Sequence, residues 1–551
     1  MRFPLLACSW FACTAALVAA PSPAISAASI LARMKVLASD EFEGRAPGSA
    51  GEDKTIAFLT AEFRKLGLQP GAPGGSFLQN VPMVGITTMM RPTFASGGLM
   101  LEPQPITEFV ARSRRTVPHL VVQDTEVIFC GYGVIAPEYQ WDDFKGVDVR
   151  GKTIVVLIND PPVVDPKTGR LDPKVFGGKA MTYYGRWDYK YEQASALGAA
   201  ACIIVHETGP AGYPFAIVGS RSGQEEFDLA TPDGNAGTTA AQGWISLDFA
   251  RKFFRAAGQD YAALKAAANS RAFRPVPLAA LASFDVANKV RTIVSHNVVA
   301  KLPGSDTRLK DEYVVYTAHW DHLGRDPRLK GDQIFNGAFD NASGTSTLVE
   351  IAGGFAAQAT PPKRTMIFLA VTGEERGLLG AKYYAEHPLY PLERTLADIN
   401  MDRIQVFGLS RDLEVIGYGN STIDDTAAAI LARSQRVLVP DTQPEKGYFF
   451  RSDHFEFAKK GVPAFYTKFG KDLIGLPAGS GARLDEDYTN NDYHRVSDEV
   501  KPTWNLAGAE ADANFLLELG ATIANGDSWP EWKPGCEFKA RREAMLRAAR
   551  N

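Results

Sequence analysis

Cysteine is scarce in this chain, five in 551 residues, and no two form the closely spaced pair of a structural zinc site. Cys8 and Cys13 fall in an apolar N-terminal stretch that reads as a leader. The remaining three, Cys130, Cys202 and Cys536, are an odd number and permit at most one disulfide. Cys130 and Cys202 sit in apolar, strand-like segments, where ordinary buried thiols are expected. Excess charge is also missing: a formal net charge of −4 creates no general field for nucleic acid or an anionic membrane, so neither is expected as a partner. Beyond the N-terminus no stretch approaches 18 uninterrupted apolar residues, so no stable membrane insertion is expected after loss of the leader. Internal repeats and low-complexity tracts are absent. What is present is a soluble, globular composition, 45% hydrophobic and 22% charged, at a length that asks for two domains plus ends.

Met1-Arg2 is followed by the apolar run Phe3 to Ala20, then by small residues and proline through Ala28. This resembles a secretory signal peptide over residues 1–27, with cleavage within Ala24 to Ala28, and implies export to the periplasm or medium. Pro4 and the lack of a basic stop weigh against a membrane anchor. Leu5-Leu6-Ala7-Cys8 mimics a lipoprotein box, but the apolar run before Cys8 is too short.

From Leu31 to Gly67 the pattern is largely helical, and Gly71 to Gly75 is a turn-rich break. Residues 106–284 have a different texture: Val127 to Phe129, Thr153 to Ile158 and Ala200 to Val205 read as short strands between Gly/Pro/Asp clusters. His206 stands alone there, in a structural role. After Asn297 the chain alternates strand, loop and helix. Tyr313 to Tyr316, Met366 to Val371, Leu396 to Ile399 and Val462 to Phe469 are strands; Ala342 to Phe355 and Leu378 to His387 are helices. The alternation predicts an α/β fold, a three-layer α/β/α sandwich with a central, mostly parallel sheet. Residues 526–551 read as a polar, basic peripheral tail.

Five metal-type side chains follow the strands in order: His319, Asp340, Glu375, Asp402 and His494. In open α/β sheets ligands bind where strands end. Asp321 follows His319 closely enough to hydrogen-bond its second ring nitrogen, which would fix the tautomer of a metal-bound imidazole. A lone His-x-Asp is usually just a loop histidine, and His322 reads as a bystander. Asp340 enters a predicted helix and could be a simple N-cap; as a bridging carboxylate it would give one oxygen to each of two metals. The small residues Gly337, Ala338, Ala342, Ser343 and Gly344 would let backbone approach closely. Glu374 and Glu375 are adjacent acids, costly to bury unless a metal takes one. The other is then free to accept a proton as general base. Each element has a bland explanation alone; five in this order, with both extra acids, point to a two-metal hydrolase.

These motifs resemble the co-catalytic zinc aminopeptidase family, which also contains glutamate carboxypeptidase and the transferrin receptor. The matching elements are His319-x-Asp321, Gly337-Ala-x-Asp-Asn-Ala-Ser-Gly344, Gly373-Glu-Glu-x-Gly-Leu-Leu-Gly380, Asn400-x-Asp402 and Tyr493-His494. Arg451-Ser-Asp453-His454 with Gly461-Val-Pro-Ala, Phe42-Glu-Gly-Arg45 and Glu486-Asp-Tyr488 match as well. The resemblance implies a catalytic domain of residues 28–105 and 285–525. Within it Asp340 would bridge two divalent ions, His319 and Asp402 would complete one site and Glu375 and His494 the other. Glu374 would be the base, Asp321 would orient His319, and the Asp340–Asn341 peptide would be cis. Residues 106–284, through Phe129-Cys-Gly-Tyr-Gly133, Trp141-Asp-Asp-Phe-Lys-Gly146 and Gly151-Lys-Thr-Ile-Val155, resemble an inserted β-rich protease-associated domain that shapes the substrate entrance.

The implied reaction is removal of N-terminal residues from peptide substrates. Two ions about 3.5–4 Å apart would activate a shared water. Zinc suits mixed nitrogen and carboxylate ligation, and manganese or cobalt fit the same ligands. Carboxypeptidase and glutaminyl cyclase chemistry are alternatives at such a site. A non-catalytic receptor would have lost ligands, and none is missing. Arg451 and Tyr448 are candidate substrate-binding groups near the Ser-Asp-His turn. Arg403, directly after Asp402, would favour acidic substrates if it faces the cleft.

Overall fold

The structure is a computed structural model and describes residues 25–219 and 222–550. Of the leader reading over residues 1–27, residues 1–24, with Cys8 and Cys13, lie outside the described part; Ile25 is buried in the core and Ala27 opens the helix Ala27–Leu37. Among the described residues no helix is long and apolar enough to cross a membrane, and Cys130, Cys202 and Cys536 are free thiols.

Four strands that are buried along nearly their whole length, Ala464–Lys468, Thr395–Met401, Tyr313–His319 and Thr365–Val371, lie side by side and parallel. Thr365–Val371 is buried at every residue, as a strand covered on both faces must be. On one face the helices Ala27–Leu37, Ser343–Ala356 and Ala507–Asn525 pack around Ile30, Leu348, Ile351 and Leu519. On the other, Leu379–Glu386 and His454–Lys460 cover Val315, Leu369 and Phe457. The expected α/β sandwich is therefore present. Its sheet is mixed at both margins, where Asp412–Ile416 and Val276–Leu302 run antiparallel to their neighbours.

Val276–Leu302 is one continuous strand of 27 residues. It pairs with Thr365–Val371 at one end and with Leu78–Ser96 and His119–Phe129 along the rest. The boundary expected at residues 284/285 thus falls inside a strand: alternation of buried and exposed side chains continues across it, although the pairing with His119–Phe129 shifts register between Ala282 and Phe284. Beyond this strand the parallel strands Thr153–Leu157, Ala201–His206 and Ala241–Ser246 extend the same hydrogen-bonded sheet. They have their own core, built on Phe94, Phe129, Phe249, Phe253 and Phe254. His206 is enclosed there by Tyr213, Phe215 and Trp244.

Two readings need correction. The helical pattern of Leu31 to Gly67 is broken by a tight turn, Asp40–Arg45, in which Glu43, Gly44 and Arg45 take positive φ. A Cβ on Gly44 would lie 2.4 Å from the Gly324 carbonyl oxygen, so the close approach of that loop requires glycine. The C-terminal segment is not peripheral. Trp532 and Phe538 are buried, and Arg542 donates to the carbonyls of Leu392 and Thr395. The charge of Lys539–Ala548 masked a helix anchored by a few large side chains.

Candidate metal centre

The parallel strands end at one edge, and this brings distant residues together. His319 is the last residue of its strand, Asp402 follows Met401, and Glu374 and Glu375 form a short turn after Val371. Asp340 lies in the turn before Ser343–Ala356, and His494 arrives at positive φ from the segment after Ser480–Asn491. Asp340 directs Oδ1 to His319 Nε2 at 3.3 Å and Oδ2 to His494 Nε2 at 3.5 Å. His319 Nε2 is also 3.7 Å from Asp402 and 4.0 Å from Glu374, while His494 Nε2 is 3.0 Å from Glu375. All five metal-type residues and Glu374 therefore meet in one place, on either side of the Asp340 carboxylate.

The surroundings hold these groups in position. Asn341, joined to Asp340 by a cis peptide, donates to the Met401 carbonyl and accepts from the backbone N–H of Gly344 and Arg403. A Cβ on Gly344 would meet Asn341 Oδ1 at 2.3 Å and the Met401 oxygen at 2.5 Å, so only glycine lets the helix start against that strand end. Asp498 accepts from the backbone N–H of Phe339 and Asp340 and from the Tyr488 hydroxyl. Arg45, 1% exposed, donates to the carbonyls of Leu37, Trp320, Asn336 and Gly337, tying the His319 loop to the Asp340 loop. Arg45 belongs to a matched motif but its task, like that of Asp498, is invisible in the sequence, because both act on backbone groups distant in the chain.

Two local expectations change. The Asp321 carboxylate is 3.8 Å from His319 Nδ1, too far for a hydrogen bond; the Asp321 backbone oxygen faces that nitrogen at 3.1 Å instead. The carboxylate accepts from the Glu374 backbone N–H at 3.0 Å, so it orients the acid turn rather than the imidazole ring. His322 is no bystander: it is fully buried, with Nδ1 2.8 Å from Glu375. Ligand-type atoms of His322, Asp340 and Glu375 cluster within 4.8 Å of one another, as do those of His319, Glu374 and Asp402. Glu375 thus has two imidazoles within reach, His322 and His494.

The electrostatics are those of a site short of positive charge. Burial opposes ionisation of His319, but Glu374 and the hydrogen-bonding Asp340 and Asp402 prevail and hold its pKa well above the usual value. His494 is pushed up to about 9, with Glu375 and Asp340 overcoming burial. Burial, reinforced by the charges of Glu375, Asp402 and Asp453, pushes the Glu374 carboxyl well up. Burial likewise raises Asp321 to about 6. His319 Nε2, Glu375 Oε1 and both ring nitrogens of His322 are buried and make no well-aligned hydrogen bond, although His322 Nδ1 and Glu375 Oε1 lie only 2.8 Å apart. Buried polar atoms normally find partners, so converging orphans of ligand type fit cation binding. The residues present suit two divalent ions sharing Asp340.

Tyr448 and Arg451 contact each other, and Arg403 lies against Tyr488 and Tyr493. The Arg451 guanidinium lies 5.7 Å from the Tyr448 ring centre, and Arg403 lies 5.4 Å from that of Tyr493, which stacks on His494. Residues 181–192 reach the segment that carries Tyr448 and Arg451. Met181 donates to the Pro444 carbonyl, Tyr183 packs on Phe455 with ring centres 4.9 Å apart, and Lys459 pairs with Glu192.

Residues 297–516 match the model of peptidase family M28. A probable zinc metalloprotease of Pyrenophora teres f. teres is 38% identical over 108 residues, 19% of this chain and 22% of that protein. Aminopeptidase NAALADL1 of Mus musculus is 35% identical over 127 residues, 22% of this chain and 15% of that protein. The matched part spans about a fifth of the length of these curated relatives. Among solved structures, an aminopeptidase from Aneurinibacillus sp. strain AM-1 is similar with a TM-score of 0.50 at 18% identity, over 91% of this chain and 95% of that one, a likeness of fold.

Proposed function

We propose, from the premise that this chain belongs to peptidase family M28 through residues 297–516, that it is an exported two-metal aminopeptidase removing N-terminal residues from peptides. The observation that carries the reading is Asp340, whose two oxygens face the His319 group and the His494 group separately, with Glu374 alongside. His319, Asp340 and Asp402 would hold one ion, and Asp340, Glu375 and His494 the other, with His322 supporting Glu375. When bound, two divalent ions, zinc by the character of these ligands, supply Lewis acidity to the scissile carbonyl and acidify a shared water.

The chain's own residues do the rest. Glu374 accepts the proton of the attacking water and returns it to the leaving amine. A carboxyl whose pKa is raised by burial and by Glu375 is suited to that exchange near neutral pH. Asp321 holds the backbone of Glu374, and Arg45 and Asp498 keep the His319 and Asp340 loops in register. No covalent intermediate is required. Residues 106–284 act as a protease-associated insertion that shapes the entrance. Support for this is their contact, through Met181 and Tyr183, with the Pro444–Phe455 segment that carries Tyr448 and Arg451.

The test is a panel of aminoacyl anilides, free and N-blocked, assayed before and after chelation and with metal returned. Cleavage of the free amines alone, abolished by chelator and restored by zinc, is expected. Cleavage of the N-blocked substrates, or activity indifferent to chelation, would remove the reading.

A further inference from the structure

Three cations line one side of the site, and none forms an ion pair or a side-chain hydrogen bond among the described residues: Arg403, Arg451 and Lys468. Lys468 ends the strand Ala464–Lys468, which pairs in parallel with Thr395–Met401, Asn400 opposite Tyr466 and Met401 opposite Thr467. Lys468 follows Thr467 and Asp402 follows Met401, so the two sit one position past the last pair of that ladder, at the strand ends. Its side chain is 3% exposed, and its ammonium lies over the Tyr448 ring, 3.2 Å from the centre. Arg451 lies on the same tyrosine. Arg403 lies between Tyr488 and Tyr493, the latter stacked on His494. Two acids that act on Lys468 through space, Asp485 and Glu414, are already engaged by Lys471 at 3.5 and 3.0 Å.

A buried ammonium without a carboxylate is costly, and an aromatic face offsets only part of that cost. Burial, then the charge of Arg403, pushes Lys468 down to about 7, in keeping with an unmet need for an anion. Cations interleaved with tyrosines, one ring away from His494, offer donors suited to an anion.

We propose that Arg403, Lys468 and Arg451 form a carboxylate-binding subsite beside the metal centre, so that the favoured substrates are peptides carrying a carboxylate next to the cleaved bond. This rests on the aminopeptidase reading above. The carboxylate can come from an acidic N-terminal side chain or from the free C-terminus of a dipeptide.

The metal-loaded protein is assayed on glutamyl, leucyl and lysyl anilides, and on Leu-Gly against Leu-Gly amide. A glutamyl-to-leucyl ratio of kcat/KM of about 10-fold or more assigns the side chain; a similar ratio of free dipeptide to amide assigns the C-terminus. In either case the ratio should collapse in Lys468→Met and invert in Lys468→Glu, with thermal melting checking that each variant is folded. Leucyl and lysyl anilides cleaved at least as fast as glutamyl, with no preference for the free dipeptide, overturn the subsite while leaving the aminopeptidase intact. If no anilide is cleaved, the aminopeptidase reading fails, and the subsite is judged by binding. L-glutamate should then raise the melting temperature where L-leucine does not, an effect lost in Lys468→Met; no such difference overturns it.

Discussion

The two ends of the strand Val276–Leu302 belong to different kinds of structure. At its C-terminal end lie parallel strands whose edge delivers His319, Glu374, Glu375 and Asp402 to one place. At its N-terminal end lie the strands of residues 106–284, also largely parallel, with an aromatic core and, among the described residues, no group of acids and histidines that could take a metal. Parallel strands ending together supply the opportunity for a site. Chemistry appears only where the loops carry charged groups and the surrounding backbone restrains them. Buried polar atoms without a well-aligned partner occur in both, but only in the first do they converge, at His319, His322 and Glu375; in the second, Asp143 is satisfied by backbone N–H groups and Trp141, and Lys190 by carbonyls. The first is arranged for a ligand and the second for itself.

That contrast can be broken most severely at Glu374. Glu374→Gln should lower kcat about 10²–10⁴-fold while bound metal, measured by elemental analysis, stays near the wild-type ratio. Full turnover would end the role given to this residue. Metal affinity should depend on pH with a definite sign. His494, raised to about 9, and His319, held well above the usual histidine value, are protonated in the metal-free fold at neutral pH and must lose that proton to become ligands. Affinity should therefore rise with pH, by about tenfold per unit for each proton displaced, until pH passes about 9. Competition titrations at several pH values would check this, and a flat profile would contradict it.

Arg45→Ala should cost about 3 kcal/mol or more in a denaturant melt, because four buried carbonyls lose their donor, and metal retention should fall as the His319 and Asp340 loops part. In the inserted region, Ile203→Ala should cost about 2–5 kcal/mol as a core cavity, yet leave kcat of the folded fraction within a few fold of wild type. A large loss of kcat there would mean that the two regions are more tightly coupled than their separate cores suggest. The smallest effect is expected at the contact between them. Lys459→Ala removes a partly exposed pair with Glu192 and should change stability by about 0–1 kcal/mol.

Much of this was legible from local pattern. The apolar runs of Tyr313 to Tyr316, Met366 to Val371 and Leu396 to Ile399 became strands because a strand covered on both faces must be apolar throughout, a property written in consecutive residues. His319, Asp340, Glu375, Asp402 and His494 could be singled out because each immediately follows such a run or fits a recognisable motif. His322, Asp498 and Lys468 gave no such signal. Their significance lies in a contact with Glu375, two backbone N–H groups at Phe339 and Asp340, and a strand-end position level with Asp402, none of which spacing encodes. The tail was misjudged for a related reason: Trp532, Phe538 and Arg542 anchor it singly, without the period that marks an amphipathic helix.

By itself, then, the sequence determined the layered α/β architecture, the order of the metal-type residues and the adjacency of Glu374 to Glu375, since each depends on neighbours along the chain. Only the tertiary structure decided that Asp340 faces two groups at once, that Asp321 orients a backbone N–H instead of a ring, and that unpaired cations stand beside the centre. Those outcomes depend on how strand ends meet across the sheet. Distances of a few ångströms between residues a hundred or more positions apart are settled by packing and hydrogen-bond satisfaction together.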